Sequence, residues 1–513
     1  MDTVNRNKQE LETKVNNDPI KKVVIVGGGT AGWVTAAVLS KTMGHALDIE
    51  LVESDDIGIV GVGEATIPQI RLLLGVLGLD ENDFMRHING TIKLGIQFND
   101  WGRIGDSYMH AFGDVGRSLG MLPFYPYWLK NRAAGGSSDL WDYSLNYQAA
   151  TANRYTHLQR LGDTGMAGLV HAYHFDANLV AAYLRQYAEK LGVKRTEGMI
   201  VDANLRSSDG FIESLNMASG EQVQGDLFID CSGFRGLLIE DALHTGYEDW
   251  THWLPCNRAI AVPCESVEPL QPYTQSSAHK VGWQWRIPLQ NRIGNGYVYS
   301  SDYISDDEAQ SVLMNNLDGE ALAEPRFLKF TPGRRKKFWN KNCVALGLAS
   351  GFMEPLESTA IHLVQSSIDR LIRMFPDKGF SQVNIDEYNR QSNFEFERIR
   401  DFIILHYKAN ERTDSQFWID RREMSVPETL TRKMDLFRDS GQIHRDAEEL
   451  FTEVAWLQVL IGQHVIPSRH HPMADQLTAE QAEQFLGHLS QVIGKAVGEL
   501  PLHRDFINKN CAT

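Results

Sequence analysis

Residues 21–43 read KKVVIVGGGTAGWVTAAVLSKTM. The apolar run VVIV after two lysines predicts a buried strand, the three glycines a tight turn, and WVTAAVLSKTM a helix. LDIELVE at 47–53 then predicts a second strand, which completes a βαβ unit of about 30 residues. Within the turn, Gly27, Gly29 and Gly32 have the spacing G-x-G-x-x-G. The first glycine permits the turn, the second lets a pyrophosphate approach the backbone, and the third lets helix and strand pack closely. The phosphate then sits at a helix N-terminus. Glu53 ends the second strand about 20 residues on, where an acid can accept ribose hydroxyls; a solvated strand-end carboxylate would occupy the same place. By itself the unit admits either NAD or FAD.

Two distant segments favour FAD. DCSGFRG (230–236) and GLASGFMEP (347–355) both carry glycines and both follow apolar strands, GDLFID and NCVAL. A cofactor lying extended across one lobe would touch such turns. After Pro355 the chain turns helical, with Ile361, Val364, Ile368, Leu371 and Ile372 on one face. From about residue 385 the pattern is mainly helical and dense in charge. The expected fold is α/β, a Rossmann-like FAD-binding lobe of the flavin monooxygenase type fused to a mainly helical second lobe. The expected limits are a polar leader over 1–20, a core over 21–384 and a helical lobe over 385–513, with returning loops that make the second lobe discontinuous.

Composition excludes several classes. The 513 residues carry a net charge of −16, which disfavours nucleic acid and anionic membrane surfaces. Five cysteines lack C-x-x-C spacing, so neither a disulfide framework nor a zinc knuckle is expected, and no metal is expected. The leader has no apolar h-region and no run approaches a membrane span, so a cytoplasmic protein is expected.

Four segments together resemble the flavin-dependent tryptophan halogenase family: GGGTAGW (27–33), GVGEATIP (61–68), GWQWRIP (282–288) and EPLEST (354–359). The resemblance runs from about residue 22 past 400. It implies that Thr30, Ala31, Glu64, Ala65 and Leu348 join the glycines and Glu53 around FAD. It also implies a chemistry in which reduced FAD takes up oxygen as a hydroperoxide that chloride or bromide attacks to give hypohalous acid. Trp283 and Trp285 would form the barrier between flavin and substrate. The lysine that meets hypohalous acid falls on Lys93 in NGTIKLGIQFNDW (89–101), and the partner carboxylate on Glu357, with Glu354 as rival. Such a lysine acts by hydrogen bond or as a haloamine, and such a carboxylate stabilises the cation formed on the arene. Read from its own neighbours, I-K-L-G-I, Lys93 is either an inward lysine or a sheet-edge gatekeeper. Thr359 and Ala360 would hold the halide through backbone N–H groups. Where the family has glycine this chain has Ala360, which disfavours positive φ and puts the turn's geometry in question. His110 and Phe112, in YMHAFG, would contact a flat substrate.

The resemblance weakens at the C-terminal segment. Tryptophan-specific members grip the amino acid there with tyrosines, whereas this chain has no tyrosine after Tyr407 and reads EVAWLQVLIGQHVIPSRHH at 453–471. Indole or another simple aromatic is therefore expected ahead of free tryptophan. The alternatives are a tryptophan halogenase with a different grip and an FAD-dependent aromatic monooxygenase. The latter needs its substrate beside the flavin, where the two tryptophans stand. No NAD(P)H segment is evident, so a separate NAD(P)H-dependent flavin reductase is the expected partner; the oligomeric state is open, with a homodimer allowed.

Overall fold

The computed structural model describes residues 18–57, 63–446 and 448–512. Residues 1–17 of the leader and the first two of GVGEATIP lie outside the described residues. The end of the segment read as a polar leader is tied down: Ile20 is buried and Pro19 bridges to Asp377.

The strand Lys22–Val26 lies at the centre of a six-stranded sheet. It pairs in parallel with Asp48–Glu53 on one side and Leu227–Asp230 on the other. Cys343–Ala345 continues the sheet beyond Leu227–Asp230, and Lys194–Glu197 flanks Asp48–Glu53. Side chains of a strand alternate between faces. Accordingly Val23 and Ile25 enter the main core while Val24 and Val26 enter a second cluster on the opposite face. A parallel sheet covered on both sides needs this continuous apolar run. The helix Thr30–Met43 packs on the main-core face.

A seven-stranded sheet forms the second layer, in the order Arg326–Lys329, Arg258–Cys264, Ile293–Tyr299, Trp283–Pro288, Thr274–Ala278, Gly95–Asn99 and Ser107–Ala111. A small antiparallel sheet of Gly63–Ala65, Ala172–Asp176 and Thr91–Lys93 leans against it. The contact is close, since a Cβ on Gly63 would lie 3.3 Å from the Gly294 Cα. From Gln382 to Asn510 the regular elements among the described residues are helices, and the main hydrophobic cluster runs through them from Ile20 to Cys511. The lobes thus share one core. No described helix is long and apolar enough to cross a membrane.

The glycine turn separates packing from space. Gly27 has φ +107°, and a Cβ there would lie 2.3 Å from the Cys231 carbonyl oxygen. A Cβ on Gly32 would lie 1.9 Å from the Gly27 carbonyl oxygen, whereas one on Gly29 would meet nothing within 4 Å among the described residues. Two glycines are therefore required by the fold, and the third faces open space. Gly32→Ala should destabilise the protein by about 2 kcal/mol or more, as overpacking against backbone does, while Gly29→Ala should leave the urea midpoint within about 0.5 kcal/mol of wild type. Equal losses in the two variants would contradict this division.

Candidate active site

Lys93 ends an edge strand, the position a gatekeeper would take, but its side chain is fully buried. The gatekeeper reading is therefore wrong. The chain turns at this point from the small sheet to the large one. Leu94 donates its N–H to the Pro272 carbonyl at 2.7 Å and accepts from the Phe112 N–H at 2.9 Å, which holds the residue after Lys93 between two elements and drives the lysine inward. Its Nζ donates to Ser358 Oγ at 2.8 Å and stands 5.4 Å from the centre of the Phe112 ring. Burial lowers the Lys93 pKa from 10.5 to about 7, against the pull of Glu357. Near neutral pH the amine is therefore present both charged and free.

Glu357 is buried between two imidazoles. His110 Nδ1 lies 2.8 Å from Oε2, and His406 Nε2 lies 2.8 Å from Oε1. Burial alone would raise this carboxyl, but His110 and then His406 outweigh it and hold the pKa at about 2. His406 is itself fixed: Tyr108 Oη lies 3.1 Å from its Nδ1, and Gln463 donates to the Tyr108 hydroxyl at 3.1 Å and to the His406 carbonyl at 3.0 Å. His406 escaped the sequence reading because it lies far from Glu357 in the chain, in the helix Gln382–Lys408, with nothing around it but an apolar face.

The turn before the helix Ala360–Arg373 resolves the question raised by Ala360. The left-handed residue is Ser358, at φ +58°; Thr359 has φ −91° and Ala360 is the first helical residue. Alanine is thus placed where it is well tolerated, and the expected strain does not arise. The first N–H groups of a helix have no intrahelical acceptor, so those of Thr359 and Ala360 can take an anion.

Glu354 does different work. Trp283 Nε1 donates to its Oε2 at 2.6 Å and the Tyr407 hydroxyl donates to the same oxygen. Burial raises its pKa to about 7, against these two hydrogen bonds. Its Oε1 is buried without a partner among the described residues, which a neutral acid tolerates better than a carboxylate. Two nearby acids are thus shifted in opposite directions. Trp283 and Trp285 project from one face of their strand, their rings 6.2 Å apart, and a Cβ on Gly296 would strike the Trp285 ring at 1.9 Å.

Beside His110 stands an aromatic wall that the motifs did not disclose. Phe402 and Phe451 stack at 3.8 Å, with Trp456 edge-on to Phe402 at 4.9 Å. The helix Glu453–Gly462 closes the edge strand Ser107–Ala111: Gln458 accepts from the Ala111 N–H at 3.1 Å and donates to its carbonyl at 3.0 Å.

At the dinucleotide end, Gly29 opens outward at the helix start, and Gly347, at φ +62°, lies against that helix, a Cβ on Gly347 falling 2.8 Å from the Ala31 Cβ. The sequence thus paired two distant segments that do meet. Glu53 Oε1 accepts from Arg195 Nε at 2.6 Å, so it is no freely solvated strand end. Glu64 and Ala65 are half-buried in the small sheet, where burial and then Asp176 raise Glu64 to about 7.

Comparison with known proteins decides the family. The tryptophan halogenase family model matches residues 22–479. The chain belongs to the tryptophan halogenase family. Tryptophan 7-halogenase RebH of Lentzea aerocolonigenes is 36% identical over 450 residues, 84% of each chain. Two solved flavin-dependent halogenases are similar throughout. Xcc4156 of Xanthomonas campestris has 46% identity and a TM-score of 0.93, over 96% of this chain and 99% of its own. BrvH of Brevundimonas sp. BAL3 has 45% identity and a TM-score of 0.92, with the same coverage. This chain is a flavin-dependent halogenase, an enzyme of the class that uses reduced FAD, oxygen and halide.

The state of Glu354 generates a test. The unfolded carboxyl loses its proton near the ordinary 4.5 and the folded one only near 7. Between those values the folded state holds more protons, so this group makes stability fall as pH rises. Glu354→Gln keeps an acceptor for Trp283 and Tyr407 but cannot ionise. Its stability relative to wild type should be greater at about pH 8 than at about pH 4, as read from urea midpoints. A difference independent of pH would mean that Glu354 is ionised in the fold.

Proposed function

We propose that this halogenase acts on a bare electron-rich aromatic, indole ahead of free tryptophan, with Lys93 presenting the electrophile and Glu357 stabilising the cation formed on the ring. One observation carries this reading: Lys93 is bonded to Ser358, the residue next to Glu357, with all three residues buried. When bound, reduced FAD supplies hypohalous acid from oxygen and halide.

The residues fit that cofactor. The Gly27–Gly32 turn leaves open space at Gly29, where a pyrophosphate would approach Thr30 and Ala31 at the helix start. Glu53 would accept the ribose hydroxyls, and Glu64, Ala65 and Leu348 would line the rest. Thr359 and Ala360 would hold chloride or bromide by their N–H groups. Trp283, fixed by Glu354, and Trp285 would keep substrate off the flavin, and a separate NAD(P)H-dependent reductase would supply its reduced form.

Lys93 works in either protonation state near neutral pH. As an ammonium it donates a hydrogen bond to hypohalous acid and orients the halogen; as an amine it accepts the halogen on Nζ and hydroxide leaves as water after taking a proton. Glu357 stays ionised, so it can face the arene cation and accept the ring proton. His110 and Phe112 would contact the ring. The neighbouring groups are internally matched, Glu357 lying between two imidazoles and Lys433 beside Glu449 at 2.8 Å. A free amino acid would bring a carboxylate and an ammonium that need partners of their own, and the tyrosines that would supply them are absent after Tyr407.

Lys93→Ala should abolish halogenation while FADH2 oxidation by oxygen, followed by absorbance, continues. Wild-type product formation would remove Lys93 from the mechanism, and loss of flavin oxidation would move it to the flavin. Glu357→Gln should slow product formation by about 10²-fold or more; a drop under about threefold on that scale would pass the role to another group. In competition assays read by mass spectrometry and NMR, indole should be converted faster than tryptophan and at C3, its most electron-rich carbon. Preference for tryptophan, or clean attack on the benzo ring, would reveal a grip on the amino acid.

A further inference from the structure

We propose that Glu81, His157 and His171 form a binding site for a divalent transition metal, with zinc the ion their donors suit best. The three residues come from separate places. Glu81 opens the helix Glu81–His87, His157 follows the helix Leu145–Thr151, and His171 immediately precedes the strand Ala172–Asp176. One ligand atom of each lies within 4.8 Å of the other two. Tetrahedral zinc with bonds of about 2.0–2.2 Å needs donors about 3.4 Å apart. The Glu81–His171 pair, at 2.8 Å, has only to open slightly, and a separation at the 4.8 Å limit has to close by about 1.4 Å to meet the same geometry.

Two further observations point to a ligand. His171 is buried and turns its Nε2 to Glu81 Oε1, so an imidazole nitrogen and a carboxylate oxygen already converge where the ion would sit. The surroundings also orient the donors. Tyr155 Oη lies 3.1 Å from His157 Nδ1, an outer contact of the kind that fixes a metal-binding imidazole and leaves its other nitrogen for the ion. The rings of Tyr155 and Phe506 pack edge-on around the two imidazoles, at 5.3 Å from Tyr155 to His171 and 5.2 Å from His157 to Phe506. Burial is graded from buried His171 through half-buried Glu81 to exposed His157. An ion arriving from solvent meets His157 first, and water completes the fourth position. Two imidazoles and one carboxylate are borderline donors, which suit zinc and its neighbours better than calcium or magnesium. The Arg71 guanidinium acts on His171 and Tyr173 from beside the cluster, and its charge opposes any cation there.

Local spacing gave no hint of this cluster, because its members belong to three elements joined only in the fold. Phe506 belongs to the C-terminal helix His503–Asn510, so an ion here would pin that helix to the helix that Glu81 opens.

Calorimetric titration of the chelator-stripped full-length protein with zinc alone tests the proposal, with thermal unfolding as a second reading. One ion per chain should bind and raise Tm. His157→Ala, an exposed position, should weaken binding by about tenfold or more and remove the rise in Tm, and Glu81→Gln should do the same. Arg71→Gln should strengthen binding. Absence of stoichiometric binding by the wild type would overturn the site. Undiminished binding by His157→Ala would also overturn it, since the ion would then lie elsewhere, for example at the half-buried pair His470 and His471.

Discussion

The buried charge of Glu357 is the constraint on which the rest of the site depends. A carboxylate without water is stable only if donors or opposite charge compensate it, and here His110 is hydrogen-bonded to one oxygen while His406 Nε2 stands 2.8 Å from the other. Each histidine is in turn immobilised by a different part of the fold. His110 lies on the edge strand Ser107–Ala111, and His406 is held by Tyr108 and Gln463. The carboxylate therefore joins the large sheet to the long helix Gln382–Lys408 and, through Gln463, to the C-terminal segment.

Lys93 follows from the same constraint. A buried lysine beside a fixed negative charge keeps part of its basicity, and burial removes the rest. The opposite treatment of Glu354 shows how local donors decide the state of an acid. Tyr407 and Trp283 both donate to one oxygen and leave the other bare, so burial prevails and the group stays protonated up to about 7. Two glutamates three residues apart in EPLEST are thereby given different chemistry, one as a charge and one as a clamp on Trp283.

Much of this was legible in the sequence because it is local. VVIVGGGTAG specifies strand, turn and helix within a few residues, and alternation in W-x-W puts both indoles on one face. The resemblance located Lys93 and Glu357 by motif. What stayed hidden depends on contacts between distant elements. His406, Phe402 and Phe451 lie in stretches whose periodicity reads only as core, and nothing in them marks the faces that turn toward Glu357. The burial of Lys93 was equally undecidable from I-K-L-G-I, since edge and interior positions share that pattern until Pro272 and Phe112 pin Leu94. Ala360 misled because the turn's positive φ lies two residues earlier: Ser358 carries it.

The ionisation of Glu357 is open to direct observation. Difference infrared spectroscopy of the folded wild-type protein against Glu357→Gln, taken from neutral pH down to about pH 4, isolates the stretch of this one carboxyl group. An ionised carboxylate band that persists across the whole range is the predicted result. A protonated carboxyl band at neutral pH would contradict a stabilising charge at the centre of the site.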